Sequence, residues 1–265
     1  MSKLSNPRIF LHVIGLLTSL LAPPVLASDE VNIYSARKED LIKPLLDDFS
    51  QQTGIKVNLV TGKEEALLQR LQSEGINTPA DVLLTSDAGR LAAAQKVGIL
   101  QAVKSAALDE NIPATYRDPD GYWYGLSMRA RPIIYAKARV KPEQLATYEA
   151  LADPQWQGKL CLRSSDSVYN QSLVAGMIAH HGEAKTEAWA KGLVANLARP
   201  PKGGDRDQIK AVAAGECEVT LANTYYLGGM VNSSDATDKQ AAAQVAVFWP
   251  DAKTTGVHVN VSGAG

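Results

Sequence analysis

Histidine and cysteine are scarce in this sequence of 265 residues, which holds four of the first and two of the second. Zinc and copper centres draw on imidazole and thiolate, so a site of that kind has little to be built from. His180 and His181 read as the tail of a helix rather than as ligands. An excess of charge is missing as well: 27 Lys and Arg stand against 28 Asp and Glu. That balance excludes the basic surface a nucleic-acid partner calls for. Beyond the N-terminal region no stretch is apolar enough to span a bilayer. Repeats, low-complexity tracts and flexible linkers are absent. Ser164, Ser165 and Ser167 cluster, but no histidine is placed to activate one of them, so an enzyme is not expected.

The N-terminus carries a recognisable device. Lys3 and Arg8 precede an apolar run from Ile9 to Ala22, Pro23 and Pro24 break it, and Val25-Leu26-Ala27 offers a small-residue cleavage site before Ser28. These are the three parts of a secretory signal peptide. A spanning anchor would need about 20 apolar residues, more than this run supplies. No cysteine closes the run, which excludes lipid attachment there. Residues 1–27 are therefore expected to be removed, leaving a mildly acidic chain free in the periplasm.

Cysteines mean something different in an exported protein than in the cytosol. Cys161 and Cys217 each lie eight residues before a tyrosine, Tyr169 and Tyr225, and each borders a β-prone run. Neighbouring strands with matched offsets to one site would bring the thiols together as a disulfide. Two buried free thiols are the alternative.

Strand-like and helix-like stretches alternate along the first half. Val31–Ser35, Ile55–Val60 and Ala80–Thr85 read as strands. Glu39–Gln52, Lys63–Ser73 and Gly89–Val97 read as helices, the first and third closed by Gly54 and Gly98. The alternation predicts βαβ units and a parallel sheet. A long β-prone run from Tyr122 to Ala136 then reads as a strand crossing into a second unit. There the pattern restarts: strand 159–163, helices 170–180, 184–197 and 205–214, and strands 218–222, 245–249 and 257–261. The fold class is thus α/β, with two lobes, crossing strands and a cleft between them where ligands sit.

The chemistry is concentrated at two strand-to-helix turns, Arg163-Ser164-Ser165-Asp166-Ser167-Val168-Tyr169-Asn170 and Ala222-Asn223-Thr224-Tyr225-Tyr226. In each, polar cap-forming residues lead into a helix that begins at or near the tyrosine. Helix N-termini present unpaired N–H groups and a positive dipole end, which attract anions. A free phenol has a pKa near 10 and is a poor anion at neutral pH. A small trivalent cation reverses that by stabilising the phenolate directly. Ferric iron, hard and oxygen-preferring, fits three phenolates that would neutralise it. On composition alone, the simpler reading of Tyr225–Tyr226 is an aromatic pair half-buried in a core.

A resemblance bears on that choice. The chain is similar to the periplasmic ferric-iron-binding proteins of ABC importers, in the branch that uses three tyrosines and carbonate. The stretches that carry it include Asn32-Ile33-Tyr34-Ser35-Ala36-Arg37, Pro79–Thr85, Arg129-Ala130-Arg131, Cys161-Leu162-Arg163-Ser164, Tyr169–Leu173, Gly203–Gln208 and Asn223-Thr224-Tyr225-Tyr226. Together they run along essentially the whole mature chain.

The resemblance implies a two-lobed periplasmic-binding-protein fold, type II-like, with hinge strands. Its lobes would cover 28–129 and 130–252, with 253–265 a return strand to the first lobe. It implies Tyr169, Tyr225 and Tyr226 as ligands to Fe(III), and Arg129 as the partner of a synergistic carbonate, with an interlobe salt bridge as the alternative role for Arg129. Arg37 would face the anion from the first lobe. A monomer that passes ferric ion to an inner-membrane ABC permease is implied too. Relatives that carry a ligand His or His-Tyr pair place it at Lys38 and Glu39, where this chain has neither. Ser86 and Asp87 fall where certain relatives place a ligand carboxylate, but Asp87 reads rather as a helix N-cap, and Tyr34 as packing at the end of its strand. The family also continues past Val261-Ser262-Gly263 with a strand and helices that this sequence does not contain. Binding proteins for a polyamine, a phosphonate or another anion share the fold and form the alternative, but their sites do without paired tyrosines.

Overall fold

The computed structural model describes residues 29–37 and 39–265. The segment read as a signal peptide, and Lys38, lie outside the described residues. The first lobe opens with β1 (Glu30–Ser35), α1 (Glu39–Thr53), β2 (Lys56–Thr61), α2 (Glu64–Glu74), β3 (Val82–Thr85) and α3 (Ala88–Lys96). Strand β1 lies between β2 and β3 and runs parallel to both. Successive side chains of a strand point to opposite faces. Ile33 accordingly packs with Ile42 of α1 and Leu84, while Tyr34 packs on the other face with Leu67, Leu71, Leu83 and Ala94. Gly54 and Gly98, both at φ +74°, turn the chain after α1 and α3, where a side chain would be strained.

After α4 (Ala106–Asn111), capped by Ser105, comes β4 (Tyr124–Ala130). The long run that reads as one crossing strand is in fact two, β4 and β5 (Ile133–Ala136), and they belong to different sheets. Pro132 has no N–H to give a ladder, so pairing stops there and the chain changes lobes within two residues.

The second lobe continues with β6 (Leu160–Cys161), α5 (Val168–His181), α6 (Glu183–Ala195) and α7 (Asp205–Ala214). Next follow β7 (Val219–Leu221), α8 (Thr224–Val231), α9 (Ala236–Gln244) and β8 (Val245–Phe248). Finally β9 (Val259–Ala264) returns to the first sheet and lies between β3 and β4. The strand orders are β2-β1-β3-β9-β4 and β6-β7-β5-β8. Both sheets are mixed rather than parallel: β9 runs antiparallel to β3 and β4, and β5 antiparallel to β7 and β8. Strands β5 and β9 each enter from the other lobe without a crossover helix, so nothing obliges them to run parallel.

The two crossings are tied together. The N–H of Arg131 donates to the carbonyl of His258 at 3.0 Å. The buried hydroxyl of Tyr148 donates to the Arg131 carbonyl at 2.7 Å and accepts from the His258 N–H at 3.1 Å. Burial holds that phenol well above its ordinary pKa, so it stays a donor.

Strands β6 and β7 are parallel neighbours, and Cys161 of β6 is joined to Cys217, two residues before β7, in a disulfide with Cα atoms 5.8 Å apart. Among the described residues, fourteen buried residues fill one face of the second sheet and eleven the other, against five and three in the first lobe's two clusters. The lobe that carries the tyrosine turns therefore has the firmer support. Among the described residues no helix is long and apolar enough to cross a membrane.

Candidate metal centre

Between the lobes lies a cleft of about 580 Å³, walled by Arg37, Ser127 and Arg129 on the first lobe's side and by Arg206, Tyr225 and Tyr226 on the second's. Tyr169 is the second residue of α5, whose N-cap is Ser167. Tyr225 and Tyr226 are the second and third residues of α8, whose N-cap is Asn223. All three phenols thus stand on first helical turns, where the positive ends of two helix dipoles favour negative charge.

The turns converge. The Tyr225 hydroxyl donates to the Tyr169 hydroxyl at 3.0 Å, and the rings of Tyr225 and Tyr226 lie 4.3 Å apart, tilted by 34°. Tyr225 is 41 % exposed and opens on the cleft. Loss of surrounding water, then the nearness of Tyr169, pushes the Tyr225 phenol far above its ordinary pKa; loss of water raises Tyr226 as well. Without an ion both phenols are neutral at pH 7.

Three guanidinium groups surround the Tyr169 ring, Arg129 at 5.1 Å, Arg163 at 5.2 Å and Arg131 at 6.0 Å from its centre. Asp205, fully buried at the start of α7, accepts from Arg131 Nη1 at 2.9 Å, Arg163 Nη1 at 3.1 Å and the Asn223 N–H at 2.7 Å. Arg131 also donates to the side-chain oxygens of Asn170, at 2.7 Å, and Asn223, at 3.2 Å. The Asn170 amide in turn donates to the carbonyls of Arg163 and Ser164.

Arg129 and Arg37 both line the cleft. Arg129 is already engaged: its Nη2 lies 2.7 Å from the fully buried Asp87 carboxylate, and its Nη1 donates to Ser262. Asp87 caps α3 by accepting from the Gly89 N–H, and also accepts from Asn260 and from Ser172 on α5. A first-lobe cap residue thus holds the helix that carries Tyr169. Arg37 is freer, its Nη1 making a long contact of 3.4 Å to Ser127. Tyr34 is buried, its hydroxyl bonded to Glu74 away from the cleft.

Asp205, Arg131 and Arg163 stand in quoted sequence stretches without any role read from them. Asp205 presents itself as one more acidic residue opening a helix, and its partners lie 18 to 74 residues away. Arg206 on the cleft wall likewise carries no local signal, its ion-pair partner Asp238 lying on α9. Among the described residues, no group of three or more His, Cys, Asp or Glu side chains is arranged to hold a metal. Besides the phenols of Tyr225 and Tyr226, the cleft lining offers the Asp40 carboxylate and the hydroxyls of Ser86, Ser127 and Ser262.

Residues 77–254 match the family of bacterial extracellular solute-binding proteins. The chain is similar to Iron uptake protein A1 of Synechocystis, with 52% identity over 236 residues that cover 89% of this chain and 66% of that protein. It spans about two thirds of the length of the curated relatives it matches. Among solved structures, the Trichodesmium protein IdiA (FutA) in complex with iron and citrate superposes with a TM-score of 0.85 at 50% identity, covering 89% of this chain and 75% of that one. The ferric binding protein from Campylobacter jejuni gives 0.85 at 39% identity with the same coverage.

Proposed function

The chain belongs to the bacterial extracellular solute-binding proteins, and from that premise we propose that it carries ferric iron through the periplasm to an ABC importer in the inner membrane. Fe(III) is the cargo. Tyr169, Tyr225 and Tyr226 hold it as phenolates, a carbonate completes the shell, and Arg37 and Arg129 face that anion. The observation that carries this reading is the convergence of three phenols on two helix N-termini, with Tyr225 and Tyr169 already 3.0 Å apart. An aromatic pair serving only a core would turn its hydroxyls to satisfied partners and its rings inward. Here Tyr225 opens on the cleft. Relatives named for iron uptake and for ferric binding support the same cargo.

Three phenolates neutralise a 3+ ion, and a divalent anion then adds charge that the cleft arginines offset. A polyamine is a poor fit, because among the cleft's lining residues Asp40 alone is a carboxylate and Arg37, Arg129 and Arg206 stand against it. The chain acts as a monomer that binds, closes and hands over, and catalyses nothing. Competition for Fe(III) against a chelator of known affinity tests the reading. Wild type should strip iron from the chelator, and the triple variant Tyr169→Phe, Tyr225→Phe, Tyr226→Phe should not. Equal retention by both would refute it.

A further inference from the structure

We infer that Asp205 is a positioning residue for the metal centre, holding the Tyr169 turn and the Tyr225–Tyr226 turn in one fixed relation; the inference rests on the ferric reading above. Asp205 belongs to neither turn. Its carboxylate accepts the backbone N–H of Asn223, the N-cap of the helix that carries Tyr225 and Tyr226. It accepts Arg163, which lies where the chain leaves β6 for the Tyr169 turn. It also accepts Arg131, which reaches Asn170 beside Tyr169 and Asn223 beside Thr224. Every route from one tyrosine turn to the other through these polar groups passes through Asp205 or its partner Arg131.

Burial makes the arrangement costly for stability alone. Asp205 is fully buried and Arg131 nearly so, and buried ion pairs of this kind are often no better for stability than apolar residues of the same volume. What the carboxylate does supply is geometry. Three acceptor contacts, from three chain segments, fix where two helix N-termini stand relative to each other. A ferric ion held by oxygens from both turns tolerates misplacement of only about 0.5 Å before ligation suffers. Partners that orient ligands typically account for about 10–100-fold in metal affinity.

Asp205→Asn keeps the size of the side chain but replaces one acceptor oxygen with a donor that faces donors. Ferric affinity by chelator competition should fall about 10–100-fold, with the phenolate-to-iron absorption band weakened or displaced. Ile209→Ala, a core truncation on the same helix, should lower the unfolding temperature yet leave the band where it is. If Ile209→Ala moves the band as far as Asp205→Asn does, Asp205 merely stabilises the lobe and the inference is overturned. The same follows if wild type binds iron and Asp205→Asn matches it in affinity and spectrum. Should Asp205→Asn fail to fold, Arg163→Lys decides, since it keeps a positive charge near the Tyr169 ring while removing the guanidinium contact to Asp205. A matching loss of affinity and band would support positioning, and an unchanged site would overturn it. A wild-type protein that binds no Fe(III) would overturn the ferric reading itself, and this inference with it.

Discussion

The hydroxyls of Tyr225 and Tyr169 meet at 3.0 Å across 56 residues of sequence, joining the first turns of two different helices at the mouth of the cleft. Nothing in either helix alone would bring them together. The contact is exposed, so its own contribution to folding is at most about 1 kcal/mol. Tyr225→Phe should therefore leave the unfolding free energy within about that margin while ferric affinity falls steeply. A melting curve and a chelator competition on the same preparation separate the two effects. A large loss of stability with iron affinity intact would contradict the assignment.

Affinity should climb with pH. The Tyr225 and Tyr226 phenols lie above their ordinary pKa in the ion-free cleft, chiefly through loss of water, so both are protonated at pH 7. Each phenolate formed on binding releases a proton, and acid returns it in competition with the ion. Three tyrosine ligands give a rise of up to about 1000-fold per pH unit below those pKa values. Iron competition at pH 6, 7 and 8 checks the sign, and a flat profile would exclude phenolate ligands. Reduction should weaken binding also, because Fe(II) has less charge to hold hard anionic oxygens.

The two arginines assigned to the anion, Arg37 and Arg129, should behave differently. Arg129 neutralises Asp87, which is fully buried, and its removal leaves that carboxylate unpaired at a cost of about 3–5 kcal/mol. Arg129→Ala thus mixes destabilisation with any loss of anion binding. Arg37→Ala should weaken iron loading in carbonate buffer, leave stability nearly unchanged, and add little to the effect of removing carbonate. Full additivity between the variant and carbonate removal would mean that Arg37 does not face the anion.

His258 gives the fold its own acid sensitivity. Burial, then the nearby Arg131 and Arg129, pulls its pKa down to about 4. An unfolded histidine titrates near 6.5, so between these values the unfolded chain binds the extra proton. Stability from this group is full above about 6.5 and is lost as pH falls toward 4. Denaturant melts of wild type and His258→Gln across that window should differ in slope, with the variant the flatter. Parallel curves would assign the acid loss elsewhere.

Removing the disulfide should cost the second lobe about 4 kcal/mol on the loop-entropy view, for a bridge spanning 56 residues. The double variant Cys161→Ala, Cys217→Ala tests this by denaturant titration. A change under about 1 kcal/mol would mean that the core around β6 and β7 holds the lobe without the bridge.

Much of this was legible in the sequence because it is local. Alternating strands and helices, and the glycines that end α1 and α3, each depend on a few adjacent residues; helices do open at the polar turns ahead of Tyr169 and Tyr225, but neither Ser167 nor Asn223 caps with its side chain. The mixed direction of the sheets was not legible, since β5 and β9 take their direction from partners far along the chain. Helix α9 (Ala236–Gln244) escaped notice because it has little amphipathic contrast, and its cap, Asp235, looks like any surface turn. Arg129 illustrates the harder limit. Its position at the crossing is readable, but its partner Asp87 lies 42 residues away and reads only as a helix cap. Asp205 is hidden in the same way. Buried polar hubs are written in three dimensions, and no local spacing announces them.

The central claim is that phenolate oxygens hold the ferric ion, and the visible absorption spectrum of the iron-loaded protein tests it most directly. Phenolate-to-Fe(III) charge transfer should colour the wild-type protein orange-red, with the band diminished in each of Tyr169→Phe, Tyr225→Phe and Tyr226→Phe. A protein that retains stoichiometric ferric iron yet stays colourless, or keeps its full band in all three variants, would contradict the account.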